Sequence, residues 1–159
     1  MVGYWEMQGV LMDTWALEAQ KRGLRVKQVY LPHDGEDKSV VTNKTAKSVV
    51  QAAFPNATIR MVPRVARKFI AIDAARQRIY ETWFHEPETT LGVDRLDNYR
   101  KKWMPSISNW SDEPLHDEAS HGASAFETFA LGWQPTHEQA DPTQGDFPGL
   151  ASRAGAYTA

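Results

Sequence analysis

The stretch LHDEASHGASAFETFALGW, residues 115–133, carries the strongest secondary-structure signal in the chain. Small and apolar residues recur in it every three or four positions, the spacing that places side chains on one face of an α-helix. The pattern therefore predicts a helix over 115–133 whose apolar face packs against the rest of a folded domain. That face comprises Leu115, Ala119, Gly122, Ala123, Phe126, Phe129, Ala130 and Trp133.

Strand and helix patterns alternate ahead of this helix. Pro32 cannot donate a ladder hydrogen bond and Gly35 permits a turn, so a strand over 25–31 is expected to end there. Thr45 or Asn43 is expected to cap a short helix. Interleaved elements of both kinds predict a mixed α/β domain. The remaining strands are predicted over 58–62 and 106–110, and the helices over 7–24, 45–54, 64–83 and 89–103.

The helix predicted over 64–83 has an apolar stripe and a basic face. The stripe consists of Val65, Phe69, Ile72, Ala75, Ile79 and Trp83, and the basic face consists of Arg67, Lys68, Arg76 and Arg78. Tryptophans on helical stripes are expected in the core, which applies to Trp15, Trp83, Trp103 and Trp133.

Composition indicates an ordinary globular domain. The chain has 159 residues, of which 42% are hydrophobic and 24% charged. Cysteine is absent, which excludes disulfides and thiolate metal ligands. No apolar run approaches the roughly 18 residues of a membrane span, so no membrane partner is expected. Residues 134–159 are rich in Pro, Gly, Ala and Thr and are predicted to be a disordered tail, which leaves 1–133 as the domain.

Positive charge is concentrated in residues 21–78, which carry 13 basic and four acidic side chains. Such an excess can attract a polyanion, although solvated helix faces explain charge alone more simply. This block includes the basic side chains Arg64, Arg67, Lys68, Arg76 and Arg78.

Asp34 follows the first predicted strand, at the end of the strand where open α/β sheets gather ligands. With Glu36 and Asp37 it offers three carboxylates within four residues, which suits a hard cation such as Mg²⁺. The alternative is a turn in which Asp34 bonds to its own backbone. This segment alone favours the turn.

A second polar group lies on the helix predicted over 115–133. Asp117, Ser120, His121 and Ser124 share one face of it because of their spacing. A catalytic role for this face competes with a simpler one, in which Asp117 and Glu118 interact with the positive end of the helix dipole.

Four segments together resemble a known family: YLPHDG (30–35), AIDAARQRIYETWFHE (71–86), GVDRLDNYRKKW (92–103) and PLHDEASHGASAFETFALG (114–132). They are similar to the C-terminal nuclease domain of the large terminase subunit of tailed bacteriophages. The resemblance implies an RNase-H-like mixed sheet flanked by helices. It also implies cleavage of double-stranded DNA with Mg²⁺ or Mn²⁺ during DNA packaging. The implied setting is the host cytoplasm, with the phage portal, the small terminase subunit and the rest of the large subunit as partners.

The resemblance assigns roles to individual residues. Asp34 matches a catalytic, metal-binding carboxylate of the family, and His33 matches its neighbouring histidine. The resemblance implies DNA as the polyanion, and the side chains then expected to contact DNA phosphates are His33, Arg64, Arg67, Lys68, Arg76 and Arg78. Asp117, Ser120 and His121 match a further element of the nuclease site. Arg76 matches an arginine of the long helix.

Two departures imply an impaired nuclease. The family's first acid lies on a strand that precedes the region matching this chain, so the first strand or strands are expected to be missing. Ser124 stands where the family has a metal-binding acid. Asp117 is about 10 Å away along the helix axis, whereas Glu127 is one turn away and is the alternative metal ligand. A non-catalytic DNA-binding or packaging-accessory module of prophage origin is the competing interpretation.

Overall fold

The computed structural model describes residues 1–133, and the tail predicted over 134–159 lies outside them. The described residues form a mixed α/β fold, as predicted. The helices are α1 (Met12–Lys21), α2 (Ala46–Ala53), α3 (Lys68–Ile79), α4 (Thr90–Asp97) and α5 (Glu118–Gly132). The strands are β1 (Gln28–Pro32), β2 (Thr58–Val62), β3 (Lys101–Met104) and β4 (Asn109–Pro114).

The strands form two separate pairs within residues 1–133. β1 and β2 are parallel, with Gln28 opposite Thr58 and Pro32 opposite Val62. Helix α2 supplies the crossover between them, as a parallel pair requires. β3 and β4 are antiparallel and pair Trp103 with Trp110. The coarse α/β class is therefore confirmed, whereas the RNase-H-like arrangement stays a prediction.

Helix α5 is the centre of the packing and contacts α3, α4, β1 and β2. Phe126 and Ala130 on its buried face pack with Ala75 of α3. Small residues on both helices allow their backbones to approach closely. At its C-terminal end Gly132 lies so close to Tyr30 and Val62 that a side chain there would displace them.

The N-termini of α2 and α5 are fixed by reciprocal capping. Thr45 Oγ1 accepts from the backbone N–H of Ser48 at 3.0 Å, while Ser48 Oγ accepts from the backbone N–H of Thr45 at 3.1 Å. Asp117 and Ser120 make the equivalent pair at α5. Each arrangement satisfies two backbone donors that the helix leaves without partners. Thr45 is thus confirmed as the cap, and Asn43 is not.

The prediction of a helix over 89–103 was wrong for its second half. Helix α4 ends at Asp97, where the Asn98 side-chain amide donates to the Asp94 carbonyl at 2.9 Å. The following residues form β3, in which Trp103 packs edge-on against Trp110 at 5.0 Å between ring centroids. This cross-strand pair outweighs the helical spacing of the sequence. The strand predicted over 106–110 accordingly begins later, as β4.

The long helix predicted over 64–83 is shorter, and its buried face differs from the predicted stripe. Ala71 and Ala75 are buried, whereas Phe69 is exposed and Trp83, beyond the helix end, is 91% exposed. Trp103 is also exposed, so two of the four tryptophans predicted for the core lie outside it. No helix among residues 1–133 is long and apolar enough to cross a bilayer.

Candidate functional site

A cleft of about 1320 Å³ opens between the end of β1, the segment after β2, and helices α3 and α5. It brings together most of the residues singled out from the sequence, including Asp34 and Ser124. We call it the basic cleft and define it by His33, Asp34, Arg64, Arg67, Lys68, Arg76, Lys101, Ser124 and Glu127. Pro32 ends the strand and a short 3₁₀ turn follows, which directs the chain at His33–Glu36 along the cleft rim.

Lys68 is fixed in the wall of the basic cleft. Its Nζ donates to Glu127 Oε2 at 2.6 Å and to Ser124 Oγ at 3.1 Å. The Glu127 side chain is only 4% exposed, and that of Lys68 is 31% exposed. A carboxylate so deeply buried requires a charged partner. Lys68 therefore spans from a buried acid to the open cleft, rather than lying on a solvated helix face.

The Tyr99 side chain is a second neighbour of Glu127. Burial and the nearby Glu127 carboxylate raise the pKa of Tyr99 above its ordinary range. Glu127 Oε1 and the Tyr99 hydroxyl are both buried and have no hydrogen-bond partner among the described residues, although the two side chains are neighbours. Among the described residues Lys68 is thus the one charged partner of Glu127.

The rim of the basic cleft carries exposed cations. Arg76 pairs with Asp73 at 3.4 Å. Arg64, Arg67 and Lys101 line the same cleft, are exposed, and make no ion pair within residues 1–133. These three side chains can reach a bound anion. Acidic side chains equal the five Lys and Arg side chains of the cleft in number, so its positive charge is local to the exposed cations Arg64, Arg67 and Lys101. These acids are Asp34, Asp73, Asp112, Glu113 and Glu127.

Asp117, His121 and Arg78 lie outside the basic cleft. Asp117 Oδ1 accepts from the Ser120 backbone N–H at 3.0 Å and caps α5. His121 packs edge-on against His116, with 4.9 Å between ring centroids. Arg78 lies 4.2 Å over the Trp133 ring and pairs with Glu81. The structure therefore separates these predicted site residues from Asp34 and Ser124.

A second ionic group packs against the opposite end of α5, and we call it the N-terminal cluster: Tyr4, Glu6, Arg95 and Glu118. Arg95 Nη2 lies 2.6 Å from Glu6 Oε1 and 3.0 Å from Glu118 Oε2. The Tyr4 hydroxyl donates to Glu6 Oε2 at 2.7 Å. The hydrogen bonds from Arg95 and then Tyr4 lower the pKa of Glu6. Burial and the bond to Glu6 raise the pKa of Tyr4 above its ordinary range.

Between Ser124 and Glu127 the basic cleft holds the Lys68 ammonium, which contacts both side chains. Lys68 already places positive charge at that position. Within residues 1–133 no group of three or more histidine or acidic side chains converges in a way that could hold a metal. Two-metal hydrolysis needs carboxylates that bridge ions about 4 Å apart. The expectation of Mg²⁺ or Mn²⁺ at Asp34 and Glu127 stays a prediction.

Comparison with known proteins found no matching family model, no matching curated protein and no matching solved structure. The likeness to terminase nuclease domains consequently rests on the sequence segments alone.

Proposed function

We propose that this domain binds double-stranded DNA in the basic cleft, as a terminase-type nuclease domain whose cleavage chemistry is impaired. One observation carries the proposal: the end of β1 with Asp34, the basic segment from Arg64 to Arg76, and Ser124 of α5 line one cleft. Exposed cations in a concave surface attract phosphates and release the counterions bound to them. The resemblance to terminases supplies the identity of the polyanion.

Impaired cleavage follows from the chemistry of the cleft. Ser124 offers a neutral hydroxyl at the position where the family has an acid. Glu127 could replace that acid only by giving up Lys68, its one charged partner among the described residues. Metal-assisted hydrolysis requires ions that activate water and stabilise the leaving oxygen. Terminase partners such as the portal and the small subunit are proposed from the resemblance alone.

Salt-dependent binding to duplex DNA tests the first half of the proposal. Each phosphate contact contributes a slope of about −0.9 to a plot of log affinity against log salt. Replacing both Arg64 and Arg67 by alanine should therefore reduce that slope by nearly two. The matched control replaces Arg25 and Lys27, which are exposed and lie outside the cleft. Equal losses in both double variants would contradict binding through the cleft.

A plasmid-nicking assay with Mn²⁺ tests the second half. We expect at most trace nicking by the full chain. Strong Mn²⁺-dependent nicking that disappears in Asp34→Ala would show an intact nuclease site and would contradict impairment. DNA binding with no such activity would support the non-catalytic interpretation.

A further inference from the structure

The Lys68 ammonium lies at a junction between the buried and open parts of the basic cleft. It has three N–H donors. Two of them are used within residues 1–133, one on Glu127 and one on Ser124. Because nearly a third of the Lys68 side chain is exposed, the third donor can face the cleft.

We propose that Lys68 is a permanent cation of this cleft, standing where a divalent ion would otherwise lie and binding a DNA phosphate without any metal. The proposal rests on the proposed function for the identity of its ligand. Its geometrical basis is independent of that function: a buried carboxylate, a hydroxyl and an ammonium meet within 3.1 Å. A metal ion at this position would compete with the Lys68 ammonium for Glu127 Oε2.

Ser124 extends the same site. Its Oγ accepts from Lys68, so its own hydroxyl hydrogen is free to donate into the cleft. A phosphate oxygen placed there would meet the spare Lys68 N–H and the Ser124 O–H together. An aspartate at position 124 would instead repel phosphate unless a cation intervened. The neutral Ser124 hydroxyl is therefore compatible with phosphate binding by a lysine, whereas a carboxylate at this position is compatible with phosphate binding through a metal ion.

A simpler interpretation is that Lys68 and Glu127 form a structural ion pair with no role in ligand binding. The two interpretations differ in what happens when the ammonium is removed. If Lys68 stands in for a metal, its loss leaves Glu127 available to a hard cation, since carboxylate oxygens are the ligands that such ions prefer. If the pair is merely structural, added metal has no specific effect.

DNA binding by the full-length chain, in EDTA and in millimolar Mn²⁺ at matched ionic strength, tests the proposal. The wild type should bind equally well in EDTA. Lys68→Met should bind DNA more weakly in EDTA, and its plot of log affinity against log salt should be shallower by the slope of about one phosphate contact. Its DNA affinity should return towards the wild-type value in Mn²⁺. Lys27→Met, an exposed lysine outside the cleft, is the matched control and should show no Mn²⁺ response. Wild-type binding that requires Mn²⁺, or a Lys68→Met variant that Mn²⁺ does not restore, would overturn the proposal.

Thermal unfolding separates failure of this proposal from failure of the proposed function. Lys68→Met should melt lower than the wild type, and Mn²⁺ should raise its midpoint by several degrees more than it raises that of the wild type. The Lys68→Met/Glu127→Gln double variant should lose this Mn²⁺ effect, because the liberated carboxylate is gone. Absence of DNA binding together with this metal response would contradict the proposed function and the phosphate contact of Lys68, but would support Lys68 as the cation that stands in place of a metal. Absence of the metal response would contradict the Lys68 proposal even where DNA binds.

Discussion

Two ionic groups pack against α5, and they differ in what they leave available. In the N-terminal cluster the Arg95 side chain is 17% exposed and contacts Glu6 through several hydrogen bonds, with Glu118 beside it. In the basic cleft Lys68 makes two hydrogen bonds and is more exposed, while its partner Glu127 is almost fully buried. In the N-terminal cluster the Arg95 guanidinium is paired with the acids of the same cluster. In the basic cleft the Lys68 ammonium is paired with the buried Glu127 and also borders the open cavity.

A resemblance in sequence therefore does not by itself locate a site on a helix. The HDEASH segment, which matches the family, lies at the N-terminal end of α5 and caps it. Ser124 and Glu127, which depart from the family pattern, line the open cleft. A ligand can be recognised where polar groups retain unused hydrogen-bonding capacity. That criterion selects the basic cleft over the N-terminal cluster.

The largest expected effect comes from removing the cation that holds Glu127. Lys68→Met should lower the free energy of unfolding by about 3 kcal/mol, because it leaves a buried carboxylate without its partner. Urea unfolding of the full chain measures the loss. Adding Glu127→Gln should restore most of it, since the second change removes the uncompensated charge. A single variant as stable as the wild type would mean that Glu127 is solvated in solution, and the contrast with the N-terminal cluster would fail.

The next effect tests how tightly the N-terminal cluster is closed. A Cβ atom at Gly122 would lie 2.6 Å from Arg95 Cβ and 2.8 Å from the Tyr4 hydroxyl. Overpacking of this kind typically costs about 2 kcal/mol, so Gly122→Ala should unfold at clearly lower urea concentration. Gly3→Ala is the matched control, because no atom lies within 4 Å of the position that its added methyl group would occupy. Equal stability of the two variants would show that the cluster is looser than the contacts indicate.

Much of the local structure could be predicted from the sequence, because local chemistry determines it. Strand β2 has the predicted bounds, and β1 ends at Pro32 as expected. The predicted face of α5 is largely buried, because its period is continuous over four turns. Proline, capping residues and sustained periodicity each act within a few residues. Their effects are therefore readable before any tertiary contact is known.

The wrong predictions concerned segments whose structure depends on contacts between residues distant in the sequence. Trp103 satisfies a helical spacing but pairs across a hairpin with Trp110. In α3 the alanines at 71 and 75 face the core because α5 approaches closely, so the larger Phe69 is left outside. Such choices are made by tertiary packing, which overrides local propensity.

The candidate site was predicted in part for the same reason. The sequence indicated the position of Asp34 relative to a strand end and the basic character of residues 64–76. It did not indicate that Lys68 reaches Glu127, because that contact spans 59 positions. One feature of the sequence could have indicated this contact. Glu127 follows Ala123 by four residues and precedes Ala130 by three, so it lies on the predicted buried face of the helix. A carboxylate on a buried helix face indicates that a positively charged side chain lies against it.

A smaller effect separates the capping role of Asp117 from a catalytic one. Asp117→Ala should cost about 1 kcal/mol of stability, the usual value for a lost N-cap. Asp117→Ser should retain most of that stability, because serine can also accept from the Ser120 backbone N–H. Neither change should alter DNA affinity or any trace of nicking. A loss of DNA binding in the serine variant would link the two ends of α5 functionally.

The smallest effect concerns the acid stability of the N-terminal cluster. Glu6 has a folded-state pKa below its ordinary value of about 4.3, owing to Arg95 first and then Tyr4, with His121 nearby. A lowered folded pKa means that Glu6 stabilises the fold fully above its unfolded pKa and loses that contribution as the pH falls through the folded value. Because Glu6 is partly exposed, solvent screening limits the contribution to about 1 kcal/mol or less. Urea unfolding of the wild type and of Glu6→Gln between pH 7 and pH 3 should therefore show curves that converge as the pH falls. Curves that stay parallel would mean that the Arg95 contact adds no net stability, which would leave the Lys68–Glu127 pair as the energetically important ion pair of the two.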